Sequence, residues 1–265
     1  MLRFALAFVA VLLPVVSAFA AQCKASSPAH TLALVELYSS EGCSSCPPAD
    51  EWLSSLEKQG YGIDRIAPVA FHVDYWDYIG WKDRFADPRY SVRQRNQAAI
   101  ERSRAIYTPQ VVLAGRDFRK WSSPASLEST VLKANAQPAR AKIELTLSPD
   151  ADGRFNAVAI AQILEAGERG RETSERGRST LHFALLESGL STPVAAGENR
   201  GATLRHDRVA RAYVRTTRFD ASGRAELRLS ARLDSSAGKP GAIAFVQRDA
   251  DGEVLQALSV PTCGV

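Results

Sequence analysis

Residues 32–51 read Leu32-Ala33-Leu34-Val35-Glu36-Leu37-Tyr38-Ser39-Ser40-Glu41-Gly42-Cys43-Ser44-Ser45-Cys46-Pro47-Pro48-Ala49-Asp50-Glu51. The run Leu32 to Tyr38 is apolar, with β-branched and aromatic members, and stops at Ser39-Ser40-Glu41-Gly42, which is the pattern of a buried strand. Trp52, Leu53 and Leu56 follow at helical spacing, and Lys58-Gln59-Gly60 closes the segment. Prolines and acids in a first turn, with glycine after the last, mark the two ends of a helix. Cys43 and Cys46 therefore sit at a strand-to-helix junction. There the helix macrodipole and free backbone N–H groups favour a thiolate, the species that attacks disulfides. Cys43 reads as the attacking thiol, and Cys46, one turn on, as the thiol that resolves a mixed disulfide. Glu41 opposes the thiolate by like charge. Taken alone, a Cys-x-x-Cys also reads as half a zinc site or as a structural bridge.

Outward from this junction, Ile66 to Val73 reads as a second buried strand running into the aromatic, acidic loop Asp74-Tyr75-Trp76-Asp77-Tyr78. Pro88 opens a helix through Arg104, and Tyr107-Thr108-Pro109-Gln110 introduces a strand at Val111 to Leu113. A further strand is expected from Asp117 to Trp121 and a helix from Ser122-Ser123-Pro124 to near Asn135, giving the order β-α-β-α-β-β-α. The character changes at Ala136-Gln137-Pro138-Ala139. Beyond it, strands are expected at Lys142–Leu147, Phe155–Leu164, Thr180–Glu187, Arg208–Arg218, Arg224–Ser230, Ala242–Arg248 and Val254–Val260. That density, about seven strands in 120 residues, predicts an antiparallel β-sandwich-like unit. The charged interval Glu165 to Ser179 reads as a hairpin tip.

Composition narrows the function classes. With 265 residues, net charge +4, 45% hydrophobic and 23% charged residues, the chain is neither disordered, fibrous nor a multi-span membrane protein. No block of like charge supplies a nucleic-acid footprint. Methionine occurs only at position 1, which excludes a methionine-based copper site. Met1-Leu2-Arg3, the apolar run Phe4 to Val16 and Ser17-Ala18-Phe19-Ala20 read as a cleavable signal peptide, residues 1–20, with no membrane span afterwards. The expected location is thus exported, periplasmic or secreted. In an oxidising compartment Cys23 and Cys263 most simply pair as a terminal staple, the alternatives being unpaired or intermolecular cysteines.

The Gly42–Cys46 motif after the first long strand, the β-α-β-α-β-β-α order and Thr108-Pro109 before the third strand resemble the thioredoxin superfamily. The resemblance covers roughly Thr31 to Asn135. It implies that Pro109 is a cis-proline beside the cysteines and that the backbone at Thr108 pairs with a peptide substrate. Ser44-Ser45 lacks the Gly-Pro of that superfamily's reductants and the Pro-His of its strong oxidants, so redox direction stays open. More narrowly, residues 35–50, His72 to Tyr78, Tyr107 to Gln110 and Gly197-Glu198-Asn199-Arg200-Gly201 resemble the exported bacterial proteins grouped as domain of unknown function 1223. The resemblance implies an α+β chain: an N-terminal thioredoxin-like domain, residues 21–137, followed by a C-terminal antiparallel β-sandwich-like domain, residues 138–265.

Other residues carry two readings each. His72 and Asp74, at a strand end, are possible accessory groups that shuttle protons or join Cys43 and Cys46 on a metal; a structural hydrogen bond is the favoured alternative. Tyr75, Trp76, Tyr78 and Trp81 make either a substrate-facing aromatic surface, with Trp76 in the groove, or the packing of an insert. Arg89, Arg93, Arg95, Arg102 and Arg104 read as a solvated polar face rather than a steering patch. Glu198, Asn199, Arg205 and His206 read as structural or partner-binding, and His30 and His182 carry no distinguishing context. The leading expectation is a thiol-disulfide oxidoreductase acting through Cys43 and Cys46 on a protein thiol or disulfide partner, with Thr108 and Pro109 shaping the groove. No cofactor and no resident metal are expected. The alternatives are a copper or zinc chaperone using Cys43, Cys46 and His72, and a partner-binding protein with a structural bridge.

Overall fold

A computed structural model describes residues 22–150, 152–164, 179–233 and 238–261. In chain order the elements are β1 (Cys23–Ser26), β2 (Ala33–Ser39), α1 (Pro47–Ser55), β3 (Ile66–His72), a 3-10 helix (Asp74–Ile79), α2 (Pro88–Ile100), β4 (Gln110–Leu113), β5 (Arg116–Asp117) and α3 (Pro124–Asn135). There follow β6 (Ala141–Pro149), β7 (Arg154–Ile163), β8 (Ser179–Ser188), β9 (Leu190–Pro193), β10 (Thr203–His206), β11 (Val209–Thr216), β12 (Arg224–Arg232), β13 (Lys239–Arg248) and β14 (Val254–Pro261). The short strands β1, β9 and β10 have no counterpart among the expected elements. The signal-peptide segment, the interval 165–178 and Cys263 lie outside the described residues.

Every residue of β2 and β3 is buried, as continuous apolar runs require when a sheet is covered on both faces. Alternate side chains of β2 split between two cores. Ala33, Val35 and Leu37 pack under α1 and α3 with Trp52, Leu53, Leu127 and Val131. Leu34 and Tyr38 face the other way, with Phe71, Val112 and Tyr90 of α2. In β6 the alternation is one-sided: Ile143, Leu145 and Leu147 are buried while Lys142 and Glu144 are exposed, so β6 lays one apolar face on a neighbour. That neighbour is the β8-β13-β14 region, contacted through Leu181, Phe183, Leu185, Ala244 and Val246.

The separate thioredoxin-like and β-sandwich-like domains expected from the sequence are not what the chain forms. Strands from both sides of Pro138 share one eight-stranded sheet, ordered β14-β13-β8-β11-β3-β2-β4-β5, beside a four-stranded sheet β1-β6-β7-β12 and the pair β10-β9. Strands dominate the described residues, and no distinct N-terminal α/β domain closes around β2 to β5. The two halves meet where β11 pairs in parallel with β3, at Val209 and Ala70, and the Ala70 amide donates to the Arg208 carbonyl at 2.9 Å. The physical reason is the free edge of β3. Periodicity reports which faces of a strand are buried but not which strand satisfies its edge, and here a strand more than a hundred residues later does so.

α2 also differs from a solvated polar helix. Arg93, Gln94 and Gln97 are buried on the sheet. Arg93 Nε lies 2.5 Å from Glu36 Oε2, Gln94 Nε2 donates to Gln110 Oε1 at 2.9 Å, and Gln97 Nε2 donates to the Gly115 carbonyl at 2.8 Å. Polar residues reach the interior because each finds a partner there. No helix among the described residues is long and apolar enough to cross a membrane.

Candidate functional site

β2 ends at Ser39, and a tight turn through Ser40, Glu41 and Gly42 delivers Cys43 to the start of α1. Cys43 and Cys46 are disulfide-bonded with their Cα atoms 5.4 Å apart, and Cys46 is the cap residue of α1. Both cysteines are 0% exposed, whereas Ser44 and Ser45 between them face solvent. Ser45 Oγ lies 3.4 Å from Cys43 Sγ. This helix end offers fewer amide donors than a strand-to-helix junction ordinarily does. Pro47 and Pro48 have no N–H, and the Ser44 amide donates to Glu198 Oε2 at 3.1 Å.

Two separate segments pack on the turn that carries the bridge. The first is the insert after β3, whose backbone turns at the 3-10 helix so that Trp76 lies against Gly42; a Cβ at Gly42 would come within 3.1 Å of Trp76 Cβ. Trp76 Nε1 donates to Thr108 Oγ1 at 2.7 Å, tying the insert to the segment before β4, and the Thr108–Pro109 peptide is cis. The second is the Gly197–Gly201 loop between β9 and β10. Asn199 Nδ2 donates to the carbonyls of Glu41 at 2.8 Å and Cys43 at 3.0 Å, while Glu198 holds the Ser44 amide. That bond lowers the pKa of the exposed Glu198 carboxyl. Gly197, at φ +73°, lets the loop pass Trp81, since a Cβ there would fall 3.1 Å from Trp81 Cβ. Sequence reasoning left Glu198 and Asn199 without a nucleophile to serve; the signal available was a polar triplet held between two glycines.

Behind the bridge lies a buried ionisable cluster: Glu41, Asp50, His72, Asp83 and His206, each no more than 5% exposed. α1 contributes Asp50, β3 His72, the insert Asp83 and β10 His206. His72 Nδ1 is 2.6 Å from Asp83 Oδ2, which also accepts the Glu41 amide at 2.9 Å. His206 Nε2 is 3.3 Å from Glu41 Oε1, and its Nδ1 is 3.8 Å from Asp50 Oδ1. Ser39 Oγ donates to Asp50 Oδ2 at 2.8 Å, and Trp81 Nε1 donates to Glu41 Oε2 at 2.9 Å. Burial alone pushes the Asp83 carboxyl up, but His72 and the amides of Glu41 and Phe85 outweigh it and hold it below the ordinary carboxylate range. Burial likewise disfavours charge on His206, and the flanking Asp50 and Glu41 carboxylates outweigh it, pushing its pKa up to about 9.

The remaining sequence candidates are dispersed. Asp74 does not join His72; its carboxylate accepts from Ser91 Oγ at the start of the 3-10 helix. Of the aromatic group, Tyr75 donates to Gln94 Oε1 at 3.0 Å, Trp76 and Trp81 anchor the insert, and Tyr78 is 83% exposed. Among the arginines Arg95, Arg102 and Arg104 are exposed and Arg89 pairs with Asp87, but Arg93 is buried. His30 Nε2 contacts the Asp64 carbonyl at 2.9 Å, and His182 is buried against Tyr213, Phe245 and Arg93. Arg205 is exposed on β10. Cys23 is buried in β1, which pairs with β6.

No curated protein matches the chain. Among solved structures, a protein of Agrobacterium tumefaciens is similar in fold, with TM-score 0.59 and 22% identity over 88% of this chain and 96% of that one. HBP35 of Porphyromonas gingivalis is similar with TM-score 0.65 and 14% identity over 88% of this chain and 76% of its own. At these identities the likenesses concern fold alone. The residues that build the site, from Ser39 to His206, lie within residues 34–247, over which the family model for Protein of unknown function (DUF1223) matches, and the chain belongs to that family.

Proposed function

We propose that the protein is an exported thiol-disulfide oxidoreductase that works through Cys43 and Cys46 on thiols or disulfides of a protein or peptide partner. The observation that carries this reading is the Cys43–Cys46 bond at the entrance to α1, in a turn whose backbone is bonded by Glu198 and Asn199 of a distant loop. Starting from the bonded state, a partner thiolate attacks Cys43 Sγ and the Cys43–Cys46 bond breaks. The Cys46 thiolate leaves and takes a proton. A second partner thiol then attacks the partner sulfur of the mixed disulfide, releasing Cys43; two electrons have passed from the partner dithiol to the cysteine pair. The reverse sequence reduces a partner disulfide. Both cysteines are buried, so either direction requires the Asn199 loop or Trp76 to move aside first. Export rests on the Met1–Ala20 segment alone.

That same burial favours a second reading, in which the bridge only braces the turn before α1. Equilibration in graded glutathione buffers, with differential alkylation of Cys43 and Cys46 read by mass spectrometry, separates the two. A reduction potential between about −120 and −270 mV supports exchange, and Cys46→Ser should then accumulate mixed disulfides while Cys43→Ser should not. A pair still oxidised below about −300 mV makes the bridge structural.

A further inference from the structure

We infer that Asp50, His72 and His206 form a binding site for a divalent transition-metal cation of the zinc class, buried behind the Cys43–Cys46 bridge and using neither sulfur. One ligand atom from each of the three residues lies within 4.8 Å of the others, and all three residues are buried. Cysteine is absent from the set, so the site is distinct from a cysteine-based metal carrier and stands independently of the redox reading.

Three observations support it. First, the cluster holds buried polar atoms that make no hydrogen bond. His72 Nε2 is buried with no hydrogen bond, and both ring nitrogens of His206 and Glu41 Oε1 are buried with ion-pair contacts of 3.3 and 3.8 Å but no hydrogen bond. Buried polar atoms ordinarily make hydrogen bonds, and their absence in a cluster whose ligand atoms lie within 4.8 Å of one another points to a missing partner. Second, a carboxylate lies beside one nitrogen of each histidine, and a further one, Asp50, lies beside the other nitrogen of His206. His72 Nδ1 contacts Asp83, leaving Nε2; His206 Nε2 faces Glu41, leaving Nδ1 toward Asp50. An outer carboxylate that orients the ring and raises the basicity of the opposite nitrogen is the usual support of a metal-bound histidine. Third, the charge is right. Three carboxylates, Glu41, Asp50 and Asp83, are buried together, and among the described residues their ion-pair partners are the two imidazoles rather than arginine or lysine. A divalent cation offsets that negative charge.

Nitrogen and carboxylate ligands suit zinc, which binds both at about 2.0–2.2 Å and commonly takes three protein ligands plus one open position. Closing on the ion draws the three ligand atoms nearer to one another than 4.8 Å. The bound ion would tie α1, β3 and β10 together, joining the eight-stranded sheet to the β9-β10 pair.

The test uses the full-length oxidised chain, stripped with chelator and titrated with Zn2+ alone, with stoichiometry by elemental analysis and affinity by calorimetry. The site requires one zinc per chain while alkylation shows Cys43 and Cys46 still bonded. Cys43→Ser/Cys46→Ser should bind as the wild type does. His206→Gln and His72→Gln should each weaken binding at least tenfold, and Asp83→Asn, which spares the ligands, by about 10- to 100-fold. Should a histidine variant fail to fold, as circular dichroism would reveal, Asp83→Asn and the absorption spectrum of the Co2+-loaded wild type decide the matter; the spectrum must lack thiolate charge transfer. Absence of zinc binding by the wild type overturns the site, as does binding that survives both histidine substitutions, or binding lost only with the cysteines.

Discussion

Replacing Asn199 by Ala removes two hydrogen bonds from a single amide, to the Glu41 carbonyl at 2.8 Å and the Cys43 carbonyl at 3.0 Å. Each is worth about 0.5–1.5 kcal/mol net, so the closed loop loses about 1–3 kcal/mol relative to the open one. If the buried disulfide reacts only when the loop opens, its reduction accelerates by the corresponding factor, about 5- to 150-fold. Water replaces part of the lost bonding at this half-buried residue, so the lower half of the range is expected. The assay follows reduction by a fixed dithiothreitol concentration, quenched by alkylation and read as the mass of the peptide carrying Cys43 and Cys46. Asn135→Ala is the matched control: Asn135 Nδ2 also holds two carbonyls, Thr31 at 3.0 Å and Arg65 at 2.9 Å, away from the cysteines. It should lower the melting temperature similarly and leave the reduction rate within about twofold. Equal acceleration by both variants would mean that the bond is reached through general unfolding, and no acceleration by Asn199→Ala would mean that the loop does not guard it.

Other outcomes follow from the interior. The His182 pKa is held well below the ordinary 6.5 by burial, and further by Arg93 and Arg215, so folded His182 stays neutral where the unfolded chain takes up a proton. Its stability contribution is therefore present above about pH 6.5 and is lost as pH falls toward the folded value; urea midpoints between pH 8 and 5 should drop, and His182→Gln should flatten that slope. Glu36→Gln strands the Arg93 guanidinium in the interior and should cost about 3–5 kcal/mol by urea unfolding, with Glu36→Gln/Arg93→Met less damaging than the single change. At Gly115, φ +76°, a Cβ would fall 2.0 Å from the Gly252 carbonyl oxygen, so Gly115→Ala should cost about 2–5 kcal/mol. Gly153, φ +71°, has open space around it, and Gly153→Ala should cost only about 1–2 kcal/mol.

Local pattern was legible wherever one segment determines its own conformation. The strand before the cysteines, the helix they open, the proline-started helix ending at Asn135 and the alternating strands after Pro138 follow from periodicity and end signals within short windows. Pairing between distant segments was not. The Val209–Ala70 seam depends on which strand reaches the free edge of β3, and nothing in either strand's alternation encodes that choice. The site divides the same way. Cys43 and Cys46 announce themselves by spacing, and His72 by its place at a strand end. Asp83, Asn199 and His206 are ordinary polar residues whose meaning arises only when the insert and the β9–β10 hairpin fold over the cysteine turn. Arg93 was misjudged because a charged residue on a polar helix resembles a solvated one until Glu36 is found beneath it.

The asparagine that shuts the cysteine turn is 156 positions downstream of Cys43. Ribosomes make the chain in order, so Cys43 and Cys46 are synthesised long before the loop that hides them and before the strand that joins the sheet's halves. Throughout that interval the pair is open to glutathione, oxidant or a folding catalyst, and the completed chain closes over whichever oxidation state it then holds. In the finished molecule, any later change of that state waits on the loop opening.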